Sequence, residues 1–248
     1  MPAAGQTSAS LIDQTMERAS GALAETRYFE CERLCERAMH AAVRARDFER
    51  MARICLPLQE SRRLIRQQAA DAAASGGVFV LSTPADLPTP APAGFYLVQP
   101  PLIGADAKRL RELFWGAKVP SLVLAREPMT RQGKWPIVAV AEESIRVQVD
   151  PPAGVKWTGQ GIRRDEMAKP PSVEWFQHAA EALGDAAFAR IDKSLPAIWR
   201  VEDLLTALEA FPDHEKLHQH LADACRAALH EPEPTAPRPR VDKYPHSF

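Results

Sequence analysis

The most chemically suggestive stretch of this sequence lies near its C-terminal end. His214, Glu215 and His218 form the pattern HExxH, in which two histidines one helical turn apart can hold zinc while the glutamate acts as general base. Pro212 places the pattern in the first turn of its helix, and no third ligand follows at the spacing that extended versions of the motif use. We therefore expect a solvated helix start with no bound metal or cofactor. A zinc-dependent hydrolase using His214 and His218 as ligands is the alternative hypothesis.

A second group of polar residues follows two predicted strands. In open α/β sheets, ligands bind beyond the carboxyl ends of the parallel strands. The residues in this position are Gln99, Arg126, Glu127, Thr130, Arg131 and Lys134. Their cationic side chains would suit a phosphate or an acidic side chain, because a guanidinium group binds such anions through paired hydrogen bonds. The alternative is an ordinary loop ion pair between Arg126 and Glu127 or their neighbours.

Other catalytic signatures are missing from the sequence. It has no glycine-rich dinucleotide or triphosphate loop and no Gly-x-Ser-x-Gly elbow, so nothing indicates a nucleotide enzyme or an esterase. The formal net charge of −1 argues against nucleic-acid or membrane-surface partners, which select for a basic excess. We expect a protein partner, with a small anionic ligand as the alternative.

The elements that position these residues form a central α/β unit over residues 76–152. An apolar run at 78–81 and a second at 95–98 predict buried strands, and an amphipathic helix follows over about 106–118. A third strand at 122–124 makes this a right-handed parallel crossover. Alternating apolar residues up to Val149 predict an antiparallel strand at the edge of the sheet.

Helical patterns flank this unit on both sides, over residues 11–75 and 153–230. Asp47 is a plausible helix cap, Pro57 should kink or end the helix that follows it, and Gly184 should end another. The helices carrying Cys31 and Cys55 should pack on each other. Residues 1–10 and the proline-rich tail 231–248 are predicted to be disordered. The fold class is therefore α+β and mostly helical.

The two helical regions carry opposite charge. Residues 27–66 hold ten arginines and six acids, a local +4, whereas residues 199–231 hold seven acids and three basic residues, a local −4. This difference is either an ordinary solvated pattern or a means of docking the two regions on each other.

Two N-terminal segments resemble the second helix of a tetratricopeptide repeat. Tyr28-Phe29-Glu30-Cys31 with the later Leu34-Cys35 and Ala38-Met39 has that repeat's order of aromatic and small residues, and Asp47-Phe48-Glu49 begins a similar segment. The stretch from Ala207-Leu208 to Phe211-Pro212-Asp213 resembles the end of such a repeat and the start of the next. The resemblance implies helical hairpins and a partner-binding surface.

We therefore predict a non-enzymatic protein-binding or scaffold protein. The alternatives are the zinc-dependent hydrolase and a small α/β module for an anionic ligand. The cysteines lie inside helical patterns, and the sequence has neither a leader pattern nor a long apolar run, which together favour a cytoplasmic protein.

Overall fold

The computed structural model describes residues 4–159, 165–235 and 237–238, and within these ranges the chain forms seven α-helices and seven strands. The helices are α1 (Ala4–Ala24), α2 (Tyr28–Ala45), α3 (Phe48–Gly76), α4 (Gly104–Ala117), α5 (Val173–Ala189), α6 (Ala197–Ala210) and α7 (Glu215–Ala228). The strands are β1 (Val78–Leu81), β2 (Gly94–Val98), β3 (Ser121–Arg126), β4 (Trp135–Val140), β5 (Ser144–Val149), β6 (Val155–Trp157) and β7 (Asp165–Met167). This is the mostly helical α+β fold that the sequence predicts. None of the described helices is both long and apolar enough to cross a bilayer.

Five strands form one mixed sheet, whose spatial order β1-β2-β3-β4-β5 follows the order of the chain. β1, β2 and β3 are parallel, and β4 and β5 are antiparallel to their neighbours. α4 connects β2 to β3, as the predicted crossover requires. β5 lies at the edge, with Ile145 and Val149 buried and the residues between them more exposed. The remaining strands, β6 and β7, form a separate hairpin.

Helices cover both faces of this sheet. In β2, Phe95 packs into the larger core with α3 and α5, whereas Tyr96 packs into a smaller core beneath α4. The Phe95 ring stacks on Phe176 with centroids 4.8 Å apart, and the Tyr96 ring lies 4.6 Å from Phe114. Burial on both faces explains why the parallel strands are continuous apolar runs rather than alternating ones.

α3 joins the helical and sheet parts of the molecule, because it packs against α2, α7 and β2. The side chain of Asp47 caps it by accepting a hydrogen bond from the backbone N–H of Arg50 at 3.0 Å. The sequence predicts that Pro57 either kinks or ends this helix. The helix does not end there, because it continues to Gly76. Proline removes one backbone hydrogen bond, and the burial of this long helix between α2 and α7 outweighs that loss. Cys31 and Cys55 are both buried where α2 and α3 pack together, as predicted.

The C-terminal half differs from the prediction in two respects. The β6–β7 hairpin was not predicted, because its strands are only three residues long and largely polar. The prediction that a helix ends at Gly184 is wrong, since α5 continues through it to Ala189. Gly184 serves close packing instead: a Cβ atom there would lie 2.2 Å from the ring of His214.

The chain ends also make contacts. α1 begins at Ala4, within the segment predicted to be disordered. Glu231 accepts a hydrogen bond from the backbone N–H of Ala197 at 2.6 Å, and Arg238 forms an ion pair with Glu202 at 3.0 Å. The rest of the predicted tail, at positions 236 and 239–248, lies outside the described residues.

Candidate functional site

A buried polar network occupies the C-terminal ends of the parallel strands, where the sequence predicts a ligand. We call this side of the sheet its carboxyl edge. Arg126 is 2% exposed, and its Nη1 lies 3.0 Å from Oδ2 of Asp165 in β7. The same guanidinium group donates to Oε1 of Gln99 at 2.8 and 3.2 Å and lies 4.1 Å above the Trp135 ring. Trp135 donates its indole N–H to Asp165 at 2.7 Å. Each charged group therefore already has a partner of opposite charge or a hydrogen-bonding group.

Gln99 extends this network to the end of β1, because its Nε2 donates to the hydroxyl of Ser82 at 2.9 Å. A cavity of about 430 Å³ lies beside the network, with Lys156 and Glu166 among its lining residues. An anion entering it would have to compete with Asp165 for Arg126. The predicted ion pair of Arg126 thus forms with Asp165, 39 residues away along the chain, rather than with Glu127.

The other residues of that predicted set are engaged elsewhere or exposed. Glu127 pairs with Arg146 at 2.5 Å, and Lys134 pairs with Asp150 at 2.6 Å. The hydroxyl of Thr130 accepts a hydrogen bond from the backbone N–H of Lys134 at 3.1 Å, which holds the β3–β4 loop. Arg131 is exposed. The structure therefore brings Gln99 and Arg126 together. The other four residues, Glu127, Thr130, Arg131 and Lys134, belong to the neighbouring loop and do not join this network.

The HExxH residues lie at the start of α7, and the expected solvated helix start is wrong, because His214 and His218 are each 1% exposed. α7 packs against α3 and α5, which buries its first turn. Burial lowers the pKa of His218 to about 3, and its Nε2 lies 2.9 Å from the carbonyl oxygen of Pro212. Glu215 pairs with Arg66 rather than facing the histidines. Among the described residues, no three side chains of His, Cys, Asp or Glu are grouped so that they could hold a metal ion.

A cleft of about 300 Å³ lies at the N-terminal ends of the parallel strands, where β2 and β3 begin. We call this side of the sheet its amino edge, and the cleft the amino-edge cleft. α2, α3, α4, the start of β3 and the turn between α6 and α7 all contribute to its walls. Its charged lining residues are Glu32, Glu36, Glu112, Glu209, Asp213, Arg62 and Arg111, which is five carboxylates against two guanidinium groups, a formal −3.

Arg62 of α3 organises one wall of this cleft. It donates to Glu32 and to Glu36 at 2.8 Å each, and its Nη1 lies 3.5 Å from Nε2 of His218. Glu32 is itself buried and accepts a second hydrogen bond from the indole N–H of Trp115 at 3.0 Å. The network ties α2, α3, α4 and α7 together and fixes the Trp115 ring at the cleft.

Asp213 is the unusual group in the cleft. The guanidinium group of Arg111 is committed to the carbonyl oxygens of Ala210 and Glu209, at 2.8 and 3.2 Å, where α6 ends. Arg62 is committed to its glutamates and His218. As a result, the carboxylate of Asp213 has no hydrogen bond or ion pair with any described residue, although its backbone carbonyl accepts one from Arg66 at 2.8 Å. Burial raises the pKa of this carboxyl group, and the nearby charges of Arg111 and Arg62 only partly oppose that rise.

Glu36 shares this property in milder form. One of its oxygens accepts from Arg62, whereas the other has no donor among the described residues. Burial is the main cause that raises its pKa. The cleft therefore offers carboxylate oxygens that are partly removed from water and lack a donor, and such groups gain the most from a bound partner.

Aromatic side chains complete the cleft. Trp115 is 37% exposed although it lies beside buried charges, and Phe29 of α2 lines the same space. A smaller cavity of about 210 Å³ lies on the other side of Asp213, along α3 and above Phe95 and Leu122. The open space thus follows α3 along the starts of β2 and β3.

This cleft is not predicted from the sequence, although the sequence contains one signal for it. The oppositely charged residues 27–66 and 199–231 do meet: Arg66 pairs with Glu215 and also donates a hydrogen bond to the backbone carbonyl oxygen of Asp213 at 2.8 Å. Glu32 and Glu36, four residues apart on α2, also share one face of that helix. What the sequence could not show is that α4 and the α6–α7 turn close around this face.

Comparisons with protein-family models, with curated proteins and with solved structures found no match to this chain.

Proposed function

We propose that this protein is a non-enzymatic binding or scaffold protein, and that the amino-edge cleft holds a side chain of a protein partner. The observation that carries this proposal is the carboxylate of Asp213, which lines a cleft, is partly buried and has no hydrogen-bond or ion-pair partner among the described residues. Such a group destabilises the folded protein unless something binds it. A donor supplied by a partner would satisfy it.

The size of the cleft indicates what kind of contact this is. Pockets for small molecules typically measure about 300–1,000 Å³, and this cleft is at the lower end with about 300 Å³. It has room for one side chain but not for a helix. We infer that it anchors a single residue of a larger partner, whose remaining contacts lie on the surrounding surfaces of α2 and α4.

The environment of the cleft suits this role. In this cleft, an aromatic ring and charged side chains lie next to a buried hydrogen-bond network. Such surroundings are typical of residues that anchor protein interfaces. The four cysteines are free and buried, which is compatible with the cytoplasmic location that we propose.

The proposal can be tested by selecting peptides from a display library on the wild-type protein. The selected peptides are then measured against Asp213→Asn, which keeps the shape of the side chain and removes its charge. Asp223→Asn is the matched control, because Asp223 is an exposed residue of the neighbouring helix α7. We expect binding to fall in the Asp213 variant and to persist in the control. Peptides that bind both variants as tightly as the wild type would overturn the proposal.

A further inference from the structure

We propose that the side chain bound in the amino-edge cleft is an arginine of the partner protein, held through its guanidinium group. This inference rests on the proposed function and specifies its ligand. It follows from the charge of the cleft, from the free acceptor atoms in it and from the aromatic ring beside them.

The charge of the cleft selects a cation. Its five carboxylates exceed its two guanidinium groups, and both of these are already engaged by glutamates or by backbone carbonyls. An anionic or neutral occupant would add to the unpaired negative charge or leave it unpaired. A cationic occupant would neutralise it in a site that water only partly reaches.

The free acceptors favour a donor with several N–H groups. Both oxygens of Asp213 and the second oxygen of Glu36 have no donor among the described residues. A guanidinium group presents five N–H donors in one plane and can serve a carboxylate through two of them at once. An ammonium group can also donate, but it is a compact and strongly hydrated charge that loses more hydration on entering such a cleft.

The ring of Trp115 supplies the third element. Its indole N–H is fixed by Glu32 at 3.0 Å, so that the ring has a defined place in the cleft wall. Guanidinium groups stack on aromatic faces and gain from the cation–π attraction there. Phe29 lines the same cleft from α2 and adds apolar surface for the methylene groups of an arginine stem.

The test compares arginine with citrulline, which has nearly the same shape but no charge. In the peptides selected on the wild-type protein, each arginine is replaced in turn by citrulline or lysine, and dissociation constants are measured by calorimetry. We expect one arginine whose replacement by citrulline weakens binding about tenfold or more, because it removes a charge-assisted hydrogen bond. Replacement of the same residue by lysine should weaken binding by less.

A second readout locates the contact. N-acetyl-L-arginine amide is titrated into the protein while the indole N–H signals of the five tryptophans are followed by NMR. The Trp115 signal, assigned with Trp115→Phe, should shift, and this shift should be lost in Asp213→Asn but kept in Asp223→Asn. Free L-arginine is run in parallel to separate a small-molecule site from a peptide site. It should bind far more weakly than the selected peptides do.

The outcomes separate this inference from the proposed function. If the peptides need Asp213 but tolerate citrulline at every position, the cleft binds a partner and the assignment of arginine is wrong. If free L-arginine binds as tightly as the peptides, the occupant is a small cation and not a partner protein. If the peptides are insensitive to Asp213→Asn, the proposed function itself fails.

Discussion

The carboxyl and amino edges of the central sheet both contain arginine and carboxylate side chains, but they differ in whether every charged group has a partner. At the carboxyl edge, Arg126 and Asp165 are buried together, and Gln99 and Trp135 satisfy their remaining hydrogen-bonding groups. At the amino edge, Arg62 and Arg111 also have partners, but the carboxylate of Asp213 has neither a hydrogen bond nor an ion pair with any residue that the structure describes. A charged residue in a crevice is therefore not enough to indicate a binding site. What distinguishes the two edges is whether the charge already has a partner.

The largest expected effect comes from breaking the carboxyl-edge network. Arg126→Met should lower the free energy of unfolding by about 3–5 kcal/mol, because it leaves the buried charge of Asp165 without its cationic partner. Urea denaturation measures this loss. Arg131→Met is the control, since Arg131 is exposed on the following loop and its replacement should change stability by less than about 0.5 kcal/mol.

A double variant sharpens this test. Arg126→Met combined with Asp165→Asn removes both charges and should recover part of the lost stability. If Arg126→Met alone costs less than about 1 kcal/mol, the network does not close this edge, and the edge becomes available to a ligand again.

The next effect concerns the packing behind the amino-edge cleft. Gly184→Ala should destabilise the protein by about 1–3 kcal/mol, because the new Cβ would lie 2.2 Å from the ring of His214, next to Asp213. Gly116→Ala in α4 is the matched control. A Cβ there meets nothing within 4 Å, so the change should leave stability equal or raise it by about 0.5–1 kcal/mol. Equal melting temperatures for the Gly184 variant and the wild type would contradict this packing.

Much of this architecture could be predicted from the sequence, whereas the site could not. The parallel crossover around α4, the edge strand β5 and the capping role of Asp47 each depend on neighbouring residues, and each is present as predicted. The pairing of Arg126 depends on a residue from a short polar strand that local periodicity does not reveal. The cleft around Asp213 depends on how α2, α3, α4 and the α6–α7 turn converge, which no local pattern encodes.

The same limit explains the HExxH pattern. His214 is the N-cap residue of α7 and His218 lies in the first turn of that helix. Whether these two side chains face solvent, a metal or a core depends on the helices packed around them. Here α3 and α5 bury them.

The smallest expected effect is on stability at the amino edge. Asp213→Asn should leave the melting temperature at pH 7 unchanged or raise it, because it removes a partly buried charge that has no partner among the described residues. This outcome would distinguish Asp213 from Asp165, whose loss should destabilise the protein.

The effect of Asp213→Asn on stability should also depend on pH. The pKa of Asp213 is raised in the folded protein above its ordinary value of 3.8, so the folded state binds this proton more tightly than the unfolded state does. The resulting stabilisation is present below pH 3.8 and is lost as the pH rises through the folded pKa. The stability of Asp213→Asn relative to the wild type should therefore increase between pH 3.5 and pH 7 in denaturation experiments. A constant difference over this range would show that the carboxyl group is not perturbed by burial.

The most direct test of the contrast between the two edges is the affinity of one selected peptide for three proteins. These are the wild type, Asp213→Asn at the amino edge and Lys156→Gln, which changes an exposed lysine beside the carboxyl-edge cavity. We predict that the Asp213 variant binds about tenfold more weakly or worse, and that the Lys156 variant stays within about twofold of the wild type. The reverse pattern, with binding lost in the Lys156 variant and kept in the Asp213 variant, would place the binding site at the carboxyl edge and contradict the proposed role of Asp213.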